Sequence, residues 1–221
     1  MIKTYYQLTK PGIIYGNAIT AMAGFFLASK GHFNISIFLG MLVGISLVIA
    51  SGCVFNNLMD SDIDAKMERT KNRAMVIGAI PKQNAIIFGV LLGVLGIISL
   101  SLFTNHYSLF TALLGFIVYV FLYTPIKRRS IYATEVGSIA GAVPIVVGYV
   151  SVANRLDAAA IILFFILVFW QMPHFYAIAI RRLNEYKTAS IPVLPAIKGI
   201  RATKIPMLIY IAGFMGVYRK T

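Results

Sequence analysis

Four of the seven carboxylates in this chain lie within nine residues, at positions 60, 62, 64 and 68. An asparagine precedes them, and Asn56, Asp60 and Asp64 follow one another at intervals of four residues. If a helix continues through this stretch, successive members rotate by only about 40° and project from one face. Amide and carboxylate oxygens are the ligands that Mg²⁺ prefers, and bound Mg²⁺ usually takes further ligands from phosphate. The spacing therefore predicts a Mg²⁺ site at Asp60 and Asp64, with Asn56 beside it.

Basic residues follow the acidic cluster closely, as a phosphate ligand would require. Arg69, Lys71 and Arg73 lie in the same polar segment, and such side chains bind phosphate oxygens through charge-assisted hydrogen bonds. The combination predicts a metal-bridged diphosphate site. A diphosphate held in this way is a good leaving group, because the metal and the cations neutralise the charge that develops as it departs.

A third polar element ends an apolar segment at Tyr123 and Lys127. An aromatic face stabilises a nearby carbocation by cation–π attraction, and a lysine can neutralise a diphosphate. The alternative is an anchor at the membrane interface, where Tyr, Lys and Arg are common.

A fourth polar element contains His174, in an apolar run, and Glu185, in a basic segment. We expect Glu185 to complete the metal or diphosphate shell of the first acidic cluster, with Arg182 and Lys187 as further phosphate ligands. The alternative is a solvated ion pair with Arg181, Arg182 or Lys187. His174 is either a hydrogen-bonded packing residue or, if the substrate is a haem, a group that binds iron or orients a propionate.

The elements that must position these residues are membrane-spanning helices. The chain is 59% hydrophobic and 12% charged, and apolar runs of about 17 to 25 residues are long enough to cross a bilayer. A seventh run begins near residue 205 and gives a helix of about 14 residues, too short to cross comfortably. We expect an all-α, multi-spanning transmembrane bundle in a single domain, 1–221. The six long spans are predicted near 13–29, 35–58, 84–104, 107–124, 131–152 and 158–180.

The distribution of basic residues explains most of the net charge of +13. Sixteen of the 20 Lys and Arg residues lie in the N-terminus and in the 59–83, 125–130 and 181–204 segments. Alternation of this kind is the positive-inside pattern, so we expect the N-terminus and both long loops in the cytoplasm and no nucleic-acid partner. No cleavable signal or transit peptide is evident, which favours a bacterial plasma (inner) membrane.

These motifs resemble those of the intramembrane aromatic prenyltransferase superfamily. Its N-x-x-x-D-x-x-x-D signature matches Asn56, Asp60 and Asp64. The D-x-D-I-D-x-K-M-x-R-T run at 60–70 and the W-Q-M-P-H run at 170–174 resemble the branch that farnesylates haem, as do segments 8–12 and 189–195. The resemblance covers essentially the whole chain. Because members resemble nine-helix bundles, about seven helices here imply a C-terminally truncated chain.

The resemblance implies farnesyl diphosphate as donor, Mg²⁺ as cofactor and the 2-vinyl group of haem B as acceptor, with water adding at the same group to give haem O. It also implies a downstream haem A synthase or terminal oxidase assembly. Where the family usually has aspartate, this chain has Glu185. Asp60 and Asp64 would hold the Mg²⁺–diphosphate with help from Asn56, phosphate would be neutralised by Arg69, Arg73 and Lys127, and His174 would face the haem.

Three alternatives stay open. A related enzyme could prenylate a quinone precursor, and a truncated relative could be catalytically silent. A divalent-cation transporter could use Asp60 and Asp64 as its ion site, but transporters place such groups near the bilayer midplane. Here the acids cluster at a helix end beside a long basic loop, which counts against transport.

Overall fold

The computed structural model describes residues 1–218, in which every regular element is a helix. Six helices are long and apolar enough to cross a membrane, so the chain is a multi-pass membrane protein and the predicted all-α bundle is confirmed. The sixth helix contains a π-helical turn at Val118–Tyr123. The helices are α1 (Ile2–Leu8), α2 (Pro11–Ser29), α3 (Ile35–Met59), α4 (Ser61–Asp64), α5 (Lys82–Phe103), α6 (His106–Ile126), α7 (Ala133–Ala153), α8 (Ala158–Arg181), α9 (Leu183–Thr188), α10 (Leu194–Ile197) and α11 (Gly199–Tyr218).

The start predicted for the last long helix is wrong. It begins at Gly199 rather than near residue 205 and has 20 residues, enough to rise about 30 Å. Its first turns contain Arg201 and Lys204, which lower the local hydropathy without interrupting helical hydrogen bonding. Pro206 also lies within the helix.

Helices α3 and α7 form the centre of the bundle. α7 packs against α2, α6 and α8, whereas α3 packs mainly against α5 and α2, and α11 lies on α8. Small residues let α2 and α7 approach at backbone distance, because a Cβ atom on Gly24 would collide with the carbonyl of Ile145, and one on Gly148 with the carbonyl of Ala21. The core between these helices consists of Ala21, Phe25, Met41, Ile45, Val48, Leu100, Ala112, Val143 and Val147.

The two long polar loops pack against each other over one end of the bundle. Ile63 and Met67 of the first loop form a buried cluster with Ala189 and Ile191 of the second. Both loops therefore lie on the same side of the bundle, as the charge distribution predicts. The first loop is also attached to the helices by a second buried cluster, formed by Leu8, Val54, Met75, Ile80 and Ala85.

The contact between α2 and α7 predicts that Gly24→Ala destabilises the protein. The added methyl group meets backbone atoms of Ile145, which cannot rotate away as a side chain can, so we expect a loss of about 1–3 kcal/mol of stability. The control is Gly16→Ala on the same helix, where a Cβ atom meets nothing within 4 Å and better helix propensity adds up to about 1 kcal/mol. Thermal unfolding in detergent measures both; equal unfolding temperatures would contradict the proposed contact.

Candidate active site

The acidic stripe lies where α3 ends. The helix stops at Met59, and Asp60, with φ −96° and ψ 2°, separates it from α4. Helical spacing nevertheless continues across this break, because the Asp60 amide donates to the Asn56 carbonyl at 2.9 Å and the Asp64 amide to the Asp60 carbonyl at 2.8 Å. The predicted register of Asn56, Asp60 and Asp64 therefore survives a one-residue interruption.

Both metal-candidate carboxylates are buried and paired with cations from elsewhere in the chain. Asp60 is only 1% exposed and accepts a hydrogen bond from Lys127 through Oδ2. Arg73 donates to Oδ2 of Asp64 at 2.6 Å. Burying a carboxylate without such a partner would cost several kcal/mol. The structure thus brings Lys127 and Arg73 to the acids, as expected for groups that share a site.

One carboxylate oxygen of Asp60 has no hydrogen-bond partner among the described residues. Oδ1 of Asp60 is buried and accepts no hydrogen bond from the described residues; the nearest guanidinium nitrogen of Arg128 is 3.7 Å away. A free buried carboxylate oxygen, with Asp64 one helical turn further on, is a donor set that suits a hard, oxygen-loving cation. The residues present therefore fit a divalent metal at Asp60 and Asp64.

Helix α6 contributes an aromatic wall at its π-helical turn. Tyr119 and Tyr123 stack with ring centroids 5.6 Å apart and planes at 14°, and Lys127 Nζ lies 5.9 Å from the Tyr123 centroid. The Thr124 hydroxyl donates to the Tyr119 carbonyl and accepts from the Asn56 amide, both at 2.9 Å. Single π-turns often occur at functional sites. Here the turn links α6 directly to the acidic stripe.

Lys10 is a site residue that sequence reasoning missed. It precedes α2 in a left-handed conformation, with φ 54° and ψ 66°, which is unfavourable for a residue with a Cβ atom and is often found at functional sites. Its ammonium group donates to Oδ1 of Asn56. Burial, which disfavours the charged form, lowers the pKa of Lys10 to about 8. The signal in the sequence was segment 8–12, which contains Lys10 and resembles the haem-farnesylating branch, but nothing in its spacing linked Lys10 to Asn56.

Most of these groups border one cavity of about 710 Å³, whereas Asp60 lies off its wall and pairs with Lys127, which is on it. Most predicted site residues line it, together with Lys10, Tyr119, Trp170, Gln171 and Tyr186, which were not predicted. The rest of the wall is largely apolar and includes Ile45, Val48, Ile49, Ala112, Phe116, Val143 and Leu167. The cavity therefore joins a charged end to a hydrophobic body. The predicted residues on its wall are Asn56, Asp64, Arg69, Arg73, Tyr123, Lys127 and His174.

His174 lies on the α8 side of the cavity wall. Its ring stacks on Trp170, with centroids 5.5 Å apart and planes at 14°. Trp170 is 52% exposed, so the pair forms a flat aromatic surface at the edge of the cavity. Gln171, beside it, donates to the Leu167 carbonyl at 3.1 Å.

The remaining predicted residues, Lys71, Arg182, Glu185 and Lys187, lie off the described cavity wall, as Asp60 does. Lys71 pairs with Glu68 at 2.7 Å, Arg182 pairs with Glu185 at 3.1 Å, and Lys187 is exposed. Within residues 1–218, no three acidic, His or Cys side chains converge on a possible metal position. The structure therefore does not bring Glu185 to Asp60 and Asp64 as a third metal ligand, because Arg182 of the neighbouring turn pairs with it locally. The neighbouring Tyr186 lines the cavity instead.

Proteins of known name resemble this chain along nearly all of its length. The protoheme IX farnesyltransferase of Protochlamydia amoebophila is 54% identical over 214 residues, which cover 97% of this chain and 76% of that protein. Protoheme IX farnesyltransferase 2 of Pseudomonas fluorescens and the protoheme IX farnesyltransferase of Serratia proteamaculans are each 51% identical, over 97% of this chain and 73% of theirs.

Solved structures with low sequence identity share the fold. A digeranylgeranylglyceryl phosphate synthase superposes with a TM-score of 0.81 at 20% identity, over 98% of this chain and 75% of that one. A UbiA homologue from Archaeoglobus fulgidus, bound to GPP and Mg²⁺, superposes with a TM-score of 0.79 at 14% identity, over 99% and 78%. The UbiA prenyltransferase family model matches residues 17–219. The family model, the similar proteins and the shared fold agree, and the chain therefore belongs to the UbiA prenyltransferase family.

Proposed function

We propose that this chain transfers the farnesyl group of farnesyl diphosphate to the 2-vinyl group of haem B, giving haem O in a Mg²⁺-dependent reaction. The observation that carries the proposal is a cavity whose wall joins Asp64 and several cations to an apolar, aromatic interior, with Asp60 paired to Lys127 of that wall. The protoheme IX farnesyltransferases that share about half of its residues support the same reaction.

The charged end of the cavity would hold the diphosphate. Lys10, Arg69, Arg73 and Lys127 all line it, and such cations bind phosphate oxygens strongly where water is largely excluded. Lys127 and Arg73 already contact Asp60 and Asp64, so the cations stand beside the proposed metal ligands. The apolar wall beyond them suits a farnesyl chain.

Asp60 and Asp64, with Asn56 next to them, would hold the metal. Bound Mg²⁺ would supply Lewis-acid neutralisation of the leaving diphosphate. The structure of the Archaeoglobus fulgidus homologue with GPP and Mg²⁺ supports a metal and a prenyl diphosphate in this fold. Glu185, paired with Arg182, is outside this proposed set.

The reaction begins as the bond between farnesyl C1 and the diphosphate oxygen breaks, with the electron pair leaving on oxygen. Lys127 and the arginines neutralise that charge, while the stacked faces of Tyr119 and Tyr123 stabilise the allylic cation by cation–π attraction. The vinyl π electrons of the haem then form the new carbon–carbon bond. Water adds its oxygen to the inner vinyl carbon and releases a proton.

The acceptor would lie against α8. Trp170 and His174 form the flat aromatic surface at the cavity edge, which matches a planar porphyrin better than a flexible isoprenoid. His174 supplies a nitrogen that can bind iron or a propionate.

The same proposal places the protein in a bacterial plasma membrane with its N-terminus and active-site loops in the cytoplasm. The 16 Lys and Arg residues on that side support the orientation. Its product would pass to a haem A synthase or to terminal oxidase assembly.

The first test is expression of the 221-residue chain in a haem-O-deficient bacterial host, followed by mass analysis of the extracted pigment. We expect a farnesylated, hydrated haem from the wild-type chain and none from Asp60→Asn. The substitution removes the buried charge, which is both a proposed metal ligand and the partner of Lys127. In an assay with purified protein, kcat should fall at least about 100-fold.

Glu68→Gln is the control for this experiment, because it removes a carboxylate of the same loop that is 81% exposed. Wild-type product in Asp60→Asn would contradict the site. Prenylated quinone precursor in place of haem O would favour the related enzyme, and haem B alone would favour a silent chain.

Lys10→Met should raise the KM for farnesyl diphosphate about tenfold, because one charge-assisted contact to the diphosphate is worth roughly 1.5–3 kcal/mol. Lys10→Arg should keep most of the affinity. The matched control is Lys3→Met, which removes an exposed charge from α1. Steady-state kinetics at varied concentrations of farnesyl diphosphate measure these KM values. An unchanged KM in Lys10→Met would show that Lys10 serves only to hold Asn56.

His174→Ala should raise the KM for haem B several-fold and leave that for farnesyl diphosphate nearly unchanged, since the ring lies on the α8 side of the cavity rather than among the cations. His106→Ala, at the start of α6, is the control. Equal losses for both substrates would indicate that His174 has a packing role.

A further inference from the structure

An ion pair outside the cavity joins the segment that follows α6 to the acidic segment that follows α3. The guanidinium of Arg128 grips the carboxylate of Asp62 with both terminal nitrogens, at 2.8 and 2.7 Å. The same Arg128 also donates to the carbonyl of Met59 and lies 3.7 Å from Oδ1 of Asp60. One side chain therefore touches three successive parts of the acidic segment.

These contacts fall where the helix is interrupted. Met59 is the last residue of α3, so its carbonyl lacks an intrahelical donor. An arginine that donates to this carbonyl caps the helix, and its positive charge interacts favourably with the negative end of the helix dipole. Arg128 comes from the segment after α6, next to Lys127, which itself binds Asp60. Two adjacent cations thus bind alternate aspartates, Lys127 to Asp60 and Arg128 to Asp62.

The pair lies outside the described cavity wall. Asp62 is 64% exposed and Arg128 33% exposed, and neither lines the cavity. The pair therefore does not contact a substrate in the cavity. Its contacts are with the residues at the helix break, Met59 and Asp60.

We propose that Arg128 and Asp62 are a positioning pair, in which Asp62 fixes the guanidinium so that it caps α3 and lies beside Oδ1 of Asp60 without a hydrogen bond to it, which leaves that oxygen for the metal. This inference rests on the proposed function, because the Mg²⁺–diphosphate site is the one that it positions. Arg128 acts through Asp60 and not on the diphosphate.

A double-mutant cycle tests this role. In Asp62→Asn, Arg128→Gln and the double variant, we expect the Mg²⁺ concentration for half-maximal activity to rise by a similar factor, roughly fivefold. The double variant should be no worse than the worse single variant, because either change breaks the same pair. Arg128→Lys, which keeps the charge but loses the two-pronged grip, should be intermediate. Glu68→Gln, an exposed change of equal charge in the same loop, is the control.

A second readout does not depend on prenyl transfer. The rise in unfolding temperature caused by Mg²⁺ with inorganic diphosphate should shrink equally in both single variants, while the ligand-free unfolding temperature stays close to that of the wild type. A large loss in Arg128→Gln with none in Asp62→Asn would overturn the proposal and make Arg128 a direct diphosphate ligand. Additive losses would also overturn it.

The two readouts separate the two hypotheses. If the wild-type chain binds Mg²⁺ and diphosphate but makes no haem O, the proposed reaction fails and the cycle on the unfolding temperature still decides the role of the pair. If the wild-type chain shows no shift with Mg²⁺ and diphosphate, both hypotheses are overturned.

Discussion

Two carboxylates buried at the end of a membrane helix impose the requirement on which the rest of this site depends. Burying the carboxylates of Asp60 and Asp64 there costs several kcal/mol unless cations pair with them. Those cations are Lys127, from the end of α6, and Arg73, from the loop before α5. Their pairing therefore requires α3, α6 and the loop to meet at one point. The buried cluster around Leu8 and Ile80 keeps the loop folded over the bundle so that this contact persists.

The helices could be predicted because lipid imposes a simple rule on them, a long apolar run with every backbone group paired internally. All six predicted spans begin and end within two residues of the observed helices. The rule failed for α11 because Arg201 and Lys204 lower the hydropathy of its first turns, and charged side chains do not break a helix. Hydropathy reports contact with lipid, whereas helix boundaries follow hydrogen bonding.

The spacing of residues predicts the site best where the site is local in sequence. Asn56, Asp60 and Asp64 share a helical repeat, so their association follows from spacing alone. Lys10 and Thr124 both bind Asn56 from distant parts of the chain, and no periodicity reports such contacts. Glu185 stays a prediction as a metal ligand, and in the structure its carboxylate pairs with Arg182 on the same helical turn.

The two helices that face each other across the charged end carry the same repeat, and both depart from regular α geometry within it. Tyr119, Tyr123 and Lys127 are spaced four residues apart, as are Asn56, Asp60 and Asp64. In a regular helix such a series drifts by about 40° at each step, so its last member would lie about 80° from its first. A π-turn has more residues per turn, which brings positions four apart closer to one line. The turn at Val118–Tyr123 therefore keeps both tyrosines and Lys127 on the cavity side. On α3, the helix break falls at Asp60, the middle residue of its series, and Arg128 caps the helix there. The π-turn of α6 likewise ends at Tyr123, the middle residue of the other series.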